Sequence, residues 1–508
     1  MLLVINFGGQ TCHLIARRVR SLGVYSEILP YDVSIDKIKE LNPCGMILSG
    51  GPSSVCEKGA PMPNMKIFEL GIPILGICYG HQLIGKKFGK VAAKEVKEYG
   101  KAEIDVDKHG KLLKGLSKKE LVWMSHGDQV VDLPKDFNIL ASTESCKIAA
   151  FESSQFFGVQ FHPEVTHTVN GIKILENFVF DVCKCKKDFN IKDMVDKLVE
   201  EVREEVKEGQ VIMGFSGGVD STVAATLIHK AIGDRIHCVF IDHGLIRKDE
   251  KEEVKGFFKK FKFKNNYIVD ASKSFLSKLK GVSDPEEKRK IIGHTFIEVF
   301  EDKVKELEKK NPNIRFLGQG TIYPDRIESA QPSKSASKIK SHHNLTLPDK
   351  MKLKVIEPLK DLYKDGVREL GRELMIPEDI LMRHPFPGPG LAIRILGEIT
   401  PDRIKILQEA DYIYISELKS SGLYDKTWQA FAALFPVKSV GVMGDSRTYE
   451  YIISLRAVTS LDAMTADWTK LPDDFLERVS NRIINEVKGV NRVVYDITQK
   501  PPGTIEYE

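Results

Sequence analysis

Gly76-Ile77-Cys78-Tyr79-Gly80-His81-Gln82 separates two kinds of pattern. The residues from Ile72 to Ile77 are apolar and read as a buried strand, whereas Tyr79 to Phe88 carry helical spacing. Cys78 therefore falls on a strand-to-helix turn. A cysteine there is either a small core residue or a nucleophile, because a helix N-terminus favours negative charge and lowers a thiol pKa. Short apolar runs alternate with helical segments around it. Leu2 to Ile5 precede a helix near 11–22, and Met46-Ile47-Leu48 run into Ser49-Gly50-Gly51-Pro52. Ala102 to Val106, Leu121 to Met124 and Phe157 to Phe161 follow as strand candidates. This alternation predicts an α/β fold whose sheet has a parallel centre.

The chain has 508 residues, which at ~100–200 residues per domain means two to four domains. The polar, basic run from Cys183 to Asp188 reads as a linker. A second α/β series then begins with a helix near 192–207 and a strand, Gln210 to Phe215, that enters Ser216-Gly217-Gly218-Val219-Asp220-Ser221. Its later strands are Ile236 to Ile241, Tyr267 to Val269 and Arg315 to Gly320, and Asp284 to Lys310 reads as a long surface helix. Ile322 to Lys352 is polar and turn-rich, the texture of a lid or a disordered loop. From about residue 386 the pattern changes again, and strand candidates at Ser439 to Met443, Tyr449 to Leu455 and Arg492 to Ile497 predict an α+β domain. The expected domains are 1–183, 190–385 and 386–508.

Composition excludes several classes. Lys+Arg is 75 and Asp+Glu 71, so a net charge of +4 gives no electrostatic case for a dedicated nucleic-acid or membrane binder. No stretch approaches the ~18–20 apolar residues of a membrane span, and the opening MLLVINFGGQ reads as a first strand, not a signal peptide. Eight cysteines without a CxxC pair predict reduced thiols and a cytoplasmic protein.

Three strand ends in the first part carry chemistry. His162-Pro163-Glu164 supplies a histidine that can act as base to Cys78 and a glutamate that can orient it. The Gly50-Gly51 turn offers N–H groups to an oxyanion, and ligands of such sheets gather at the carboxyl ends of strands. Taken together, Gly76 to Gln82, Ser49 to Pro52 and His162 to Glu164 resemble the class I glutamine amidotransferases, whose domain is flavodoxin-like. The resemblance implies that Cys78 attacks the side-chain amide of glutamine, with His162 and Glu164 completing a triad. It implies an oxyanion hole near Gly51 and Tyr79, and a glutamine pocket at Gln82, Ser125, His126, Gly127 and Asp128. His81 stands where that family often has Met, and is expected to be a packing change.

The second glycine loop is not a GxxxxGK[ST] phosphate loop. Its glycines let N–H groups approach an anion, its two serines can donate to phosphate, and Asp220 calls for a magnesium ion between itself and phosphate. Ser216 to Ser221 resemble the pyrophosphate loop of the doubly wound ATP pyrophosphatases, and this implies MgATP as substrate with no organic prosthetic group. Ser216, Gly217, Gly218, Val219, Asp220 and Ser221 would hold ATP, with Mg2+ bound through Asp220. Asp242 follows at the next strand end, and His243 stands where the family usually has Asn.

The remaining motifs narrow the acceptor. Gly318 to Ser329, Ile339 to Asn344, Arg383 to Arg394 and Tyr495 to Glu508 are similar to the glutamine-hydrolysing GMP synthetase family, over essentially the whole chain. The similarity implies that XMP is adenylated at its 2-oxo group and aminated to GMP, releasing AMP and pyrophosphate. It places Gly320 and Lys340 with ATP, and Arg492, Lys500, Thr504, Ile505 and Glu506 with XMP. It also implies a lid carrying Lys340, His342 and His343, one residue shorter at Leu345 to Pro348, and a homodimer through the C-terminal domain. Two other readings compete: an RNA-thiolating enzyme, which would need an RNA platform and usually a CxxC pair, and a binding protein without turnover.

Overall fold

Residues 2–5, 45–48 and 74–77 are buried at every position, as strands must be when helices cover both faces of a parallel sheet. In the computed structural model, which describes residues 1–9, 11–323, 325, 353–460 and 465–508, they become β1 (Leu2–Asn6), β3 (Gly45–Leu48) and β4 (Ile74–Ile77), with β2 (Ser26–Pro30) at the edge. The sheet continues through β5 (Lys90–Val106), β6 (Lys119–Asp132), β7 (Asn138–Ser142), β8 (Ala150–Glu152) and β9 (Phe156–Val159), in the order β2-β1-β3-β4-β9-β8-β7-β5-β6. The first five are parallel and the rest antiparallel. Helices α1 (Cys12–Ser21), α2 (Ile35–Leu41), α3 (Tyr79–Phe88) and α4 (Gly171–Glu176) complete a unit spanning Met1–Asn190.

The strands near Ala102 and Leu121 are the ends of a much longer hairpin, β5–β6. Its residues alternate between exposed and buried along β6, so half of each strand is polar and only the apolar stretches stand out in the sequence. The expectation of reduced thiols is corrected: Cys44 and Cys185 form a disulfide, with Cα atoms 6.1 Å apart across 141 residues. That separation leaves no local spacing to read. Cys185 lies in the predicted linker, so the bond ties that segment to the start of β3.

The second unit, Ile191–Glu508, contains two sheets. Strands β10 (Gln210–Gly214), β11 (Ile236–Asp242), β12 (Asn266–Asp270), β13 (Ile314–Gly318) and β14 (Lys354–Ile356) form a parallel sheet in the order β12-β11-β10-β13-β14. Helices α5 (Ile191–Val206), α6 (Val219–Ile232), α7 (Glu250–Lys260), α8 (Ser272–Leu279) and α9 (Pro285–Lys310) belong to it. The valines at 195, 199, 202 and 206 give α5 one buried stripe. The other sheet holds β15 (Gln429–Met443), β16 (Ser446–Thr459), β17 (Asp467–Trp468) and β18 (Val490–Asp496). One apolar core joins the two: Ile212, Val239 and Ile241 share a cluster with Leu391, Ala430 and Leu455.

Helix α9 starts as its sequence dictates, with Asp284 accepting from the Glu287 N–H (2.8 Å) and Pro285 in the first turn. It is not only a surface helix. Lys288 is fully buried and donates to the carbonyls of Ile395 (2.7 Å) and Ala392 (3.3 Å) and to the Glu508 carboxylate. No helix among the described residues is long and apolar enough to cross a membrane.

The closest helix-to-sheet approach that serves a site is at Gly80, where a Cβ would sit 2.2 Å from the backbone oxygen of Leu48. Gly80→Ala must push α3 off β3, and is expected to destabilise the first unit by about 1–3 kcal/mol. Denaturant unfolding of the full chain, followed through the first unit's transition, checks this, and an unshifted midpoint would contradict it.

Candidate active sites

The chain leaves β4 at Cys78 with φ +52° and ψ −102°, a left-handed backbone that a non-glycine residue holds only when its surroundings enforce it, at a cost on the order of 1–3 kcal/mol. The Cys78 N–H donates to Val159 O of β9 (2.9 Å), and the next turn is fixed by Gly80 N–H to Ser49 O (3.1 Å). Cys78 is 5% exposed, and its thiol faces Ser125 O at 3.5 Å. His162, on the turn after β9, meets it across Gly50. A Cβ on Gly50 would lie 2.9 Å from His162 Cε1 and 3.7 Å from Cys78 Cβ, so only glycine fits between them. Glu164 Oε1 accepts from His162 Nδ1 at 2.7 Å, which puts a proton on Nδ1. Burial works against charge on that ring, but the Glu164 carboxylate and the Cys78 sulfur hold His162 well above the ordinary histidine range. The three residues, at the ends of β4 and β9, are thus brought together beside Gly50 at the end of β3. A Cβ on Gly51 would meet Phe7 O at 2.8 Å and the Tyr79 ring at 3.3 Å, so Gly51, after β3, packs closely against Tyr79 at the start of α3.

On the other side of Cys78, Ser125, His126, Gly127 and Asp128 lie within β6. Asp128 O accepts from Gln82 Nε2 (2.8 Å), and its carboxylate accepts from the Ser54 hydroxyl. The His126 ring is bound to Asp128 O and Glu98. His81 is fully buried against Phe151, their ring centroids 4.6 Å apart, and burial pushes it down to about 3. It is a neutral packing residue.

The second glycine loop joins β10 to α6. Gly217 takes φ +74°, and the two serine hydroxyls meet at 2.9 Å, with Ser216 Oγ accepting from the Gly218 N–H (3.3 Å) and Ser221 Oγ donating to Gly218 O (3.1 Å). The loop and Gly320, after β13, flank the point where the strand order reverses, the usual ligand crevice of a doubly wound sheet. A Cβ on Gly320 would lie 3.0 Å from the backbone of Asp220 and Ser221. Asp220 Oδ2 accepts from Lys364 (2.6 Å), while its Oδ1 is buried with no hydrogen-bond partner among the described residues. An orphaned carboxylate oxygen beside a phosphate-type loop fits a magnesium ion. Asp242, at the end of β11, pairs with Lys251 (2.9 Å). His243 is buried, its Nδ1 accepting from the Leu245 N–H (3.1 Å), and burial lowers it to about 4.

The C-terminal tail is fixed from within. Arg456 donates to the carbonyls of Thr498, Thr504 and Ile505 (2.9–3.0 Å). Glu506 accepts two bonds from the fully buried Arg394 (2.9 and 3.0 Å) and one from Gln429 (2.6 Å). Lys500 pairs with Ala466 through backbone bonds (2.8 and 3.1 Å), and Arg492 Nε reaches Ser439 Oγ at 3.4 Å. Lys340, His342, His343 and Leu345 to Pro348 lie outside the described residues.

Comparison with known proteins gives three family matches along the chain. The family model for glutamine amidotransferase class-I matches residues 3–182, that for NAD synthase 190–290, and that for the GMP synthase C terminal domain 416–507. A glutamine-hydrolyzing GMP synthase of Aquifex aeolicus is 56% identical over 511 residues, covering 100% of this chain and 99% of its own. Those of Brachyspira hyodysenteriae and Carboxydothermus hydrogenoformans are each 55% identical over 510 residues, covering 100% of this chain and 98% and 99% of their own. The chain belongs to the glutamine-hydrolyzing GMP synthase family.

Within this GMP synthase fold, several charged residues beside the sites escape a linear reading. Lys364 pairs with Asp220 across 144 residues and looks in sequence like one more lysine of an amphipathic helix. Arg383 donates to Gly217 O (3.1 Å) and to Glu253. Arg394 sits in a motif, but only the fold shows that its partner is Glu506.

The His162 proton gives a signed pH expectation. Its raised pKa means that the ion pair's contribution to stability is full below about pH 6.5 and is lost as pH rises through the folded value. Glu164→Gln removes the carboxylate that holds the proton. NMR titration of His162 should move to lower pH, and glutamine hydrolysis should fall by about 10²–10⁴-fold; an unmoved titration would contradict the pairing.

Proposed function

We propose that residues 1–183 hydrolyse glutamine, 190–385 activate XMP with MgATP, and 386–508 complete the XMP site and form a homodimer, in a cytoplasmic enzyme. The chain is a GMP synthase: it takes the amide nitrogen of glutamine and makes GMP from XMP at the expense of ATP. The observation that carries the assignment of roles is the meeting of Cys78, on its strained turn, with the hydrogen-bonded His162–Glu164 pair on the turn after β9.

Cys78 attacks the glutamine amide carbon as a thiolate. The His162 imidazolium, held by Glu164, stands beside it and supplies the proton that the departing ammonia needs; the neutral imidazole then takes a proton from water, which breaks the glutamyl thioester to glutamate and returns the Cys78 thiolate. The N–H groups of Gly51 and Tyr79 receive the oxyanion. Gln82, Ser125, His126, Gly127 and Asp128 shape the glutamine side, with Asp128 fixed through Ser54 and Gln82.

In the second unit the loop Ser216, Gly217, Gly218, Val219, Asp220 and Ser221 receives the ATP phosphates at the start of α6. Asp220 would hold Mg2+ through its unpartnered Oδ1, and the ion when bound would supply charge neutralisation to the phosphates. Asp242 and Gly320 belong to the nucleotide crevice, and the family pattern assigns Lys340 to ATP. The 2-oxo oxygen of XMP attacks the α-phosphorus, pyrophosphate leaves, and ammonia then displaces AMP from C2. Arg492, Lys500 and Thr504 hold the XMP phosphate, with Ile505 and Glu506 beside them. Arg394 fixes the Glu506 carboxylate through two hydrogen bonds.

The division of labour is tested by nitrogen source. Cys78→Ala should lose glutamine-dependent GMP formation and keep ammonia-dependent formation at the parent rate, whereas Asp220→Ala should lose both. Equal loss from both nitrogen sources in Cys78→Ala, or normal synthesis in Asp220→Ala, would overturn the assignment.

A further inference from the structure

The β5–β6 hairpin sets Glu98 opposite His126. A carbonyl oxygen can only accept, so the 3.1 Å contact between His126 Nδ1 and Asp128 O places the ring proton on Nδ1. Nε2 then presents a lone pair, and it lies 3.0 Å from Glu98 Oε2, which as a carboxylate oxygen also only accepts. Two acceptors at that distance require a positive charge between or beside them, either a proton or a metal ion. The sulfur of Cys146 completes the group: one ligand atom from each of Glu98, His126 and Cys146 lies within 4.8 Å of the other two. His126 and Cys146 are buried, and the Glu98 side chain is 17% exposed.

The surroundings orient these atoms as a metal site's outer partners do. Asp128 O fixes the histidine tautomer. Glu98 Oε1 accepts from Thr143 Oγ1 (2.8 Å), and the same Thr143 oxygen accepts from the Cys146 N–H (2.8 Å), closing the turn that carries the thiol. One sulfur, one imidazole nitrogen and one carboxylate oxygen make a donor set suited to zinc, with metal–ligand distances of ~2.0–2.3 Å and a fourth position for water. We infer that Glu98, His126 and Cys146 bind a divalent cation of the zinc type. Binding releases the Cys146 thiol proton to solvent and leaves Glu98 ionised and His126 neutral. The ion ties β5, β6 and the Thr143–Cys146 turn together. Asp128 O, which holds both His126 and Gln82, links this brace to the glutamine side of Cys78.

The test uses the full chain carrying Cys78→Ala, so that the active-site thiol cannot take the metal. Titration with Co2+ should give one equivalent per chain with a thiolate-to-cobalt charge-transfer band, and Zn2+ should displace it. Cys146→Ser should lose the band, and Glu98→Gln should keep it while binding Co2+ about tenfold or more weakly. Cooperative denaturant unfolding of the first unit, with the parent's near-ultraviolet circular dichroism before the transition, shows that each variant is folded. A folded parent without a thiolate band, or a band that survives Cys146→Ser, would overturn the proposal. The Glu98–His126 contact would then be a proton-bridged pair.

Discussion

The close seat of Gly80 against Leu48 O is the constraint on which the first site rests. Because a Cβ there would lie 2.2 Å from that oxygen, α3 can start directly beneath the end of β3, and the chain has a single residue in which to turn from strand to helix. Cys78 takes the turn at φ +52°. Its thiol is thereby carried out of the sheet, toward a histidine that only the absence of a Gly50 side chain allows so near. The second unit repeats the device. Gly320 lies where a Cβ would be 3.0 Å from the start of α6, so the ends of β10 and β13 open onto one helix N-terminus. Both sites use the same physics, a parallel strand end placed under oriented N–H groups, with different side chains for different chemistry.

The C-terminal region depends on buried cations. Arg394, Arg456 and Lys288 are among the largest fully buried side chains, and all three point their charge at the tail: Arg394 at Glu506, Arg456 at carbonyls between Thr498 and Ile505, Lys288 at Glu508. A buried charge is tolerated when its hydrogen bonds are matched, and removing one partner leaves the other costly. The last residues are therefore an internal component of the second unit and not a loose end. The same holds for Asp220, whose Lys364 partner matches one carboxylate oxygen and leaves the other for a cation.

Much of this was legible in the sequence, where signals are local. Helix α3 occupies the span its spacing predicts, Tyr79 to Phe88, and the parallel strands carry the apolar runs that two-sided burial demands. His162 and Glu164, two residues apart, form the predicted pair. What was not legible is long-range or one-sided. The hairpin β5–β6 hides in polar alternation, the Cys44–Cys185 disulfide spans 141 residues, Lys364 looks like an ordinary surface charge until the fold pairs it with Asp220, and the motif from Arg383 to Arg394 does not name the partners of its two arginines. The family resemblance assigns Thr504 and Glu506 to the ligand, whereas in the fold Glu506 holds the tail through Arg394, a role that no motif announces.

The chemistry joining the two units is tested most directly by following atoms. XMP labelled with oxygen-18 at the 2-oxo position, supplied with amide-labelled nitrogen-15 glutamine and MgATP, should yield GMP bearing nitrogen-15 on its 2-amino group and AMP bearing the oxygen-18 on its phosphoryl group. Oxygen-18 appearing in pyrophosphate or in water, with AMP unlabelled, would contradict adenylation of XMP as the step that prepares it for ammonia.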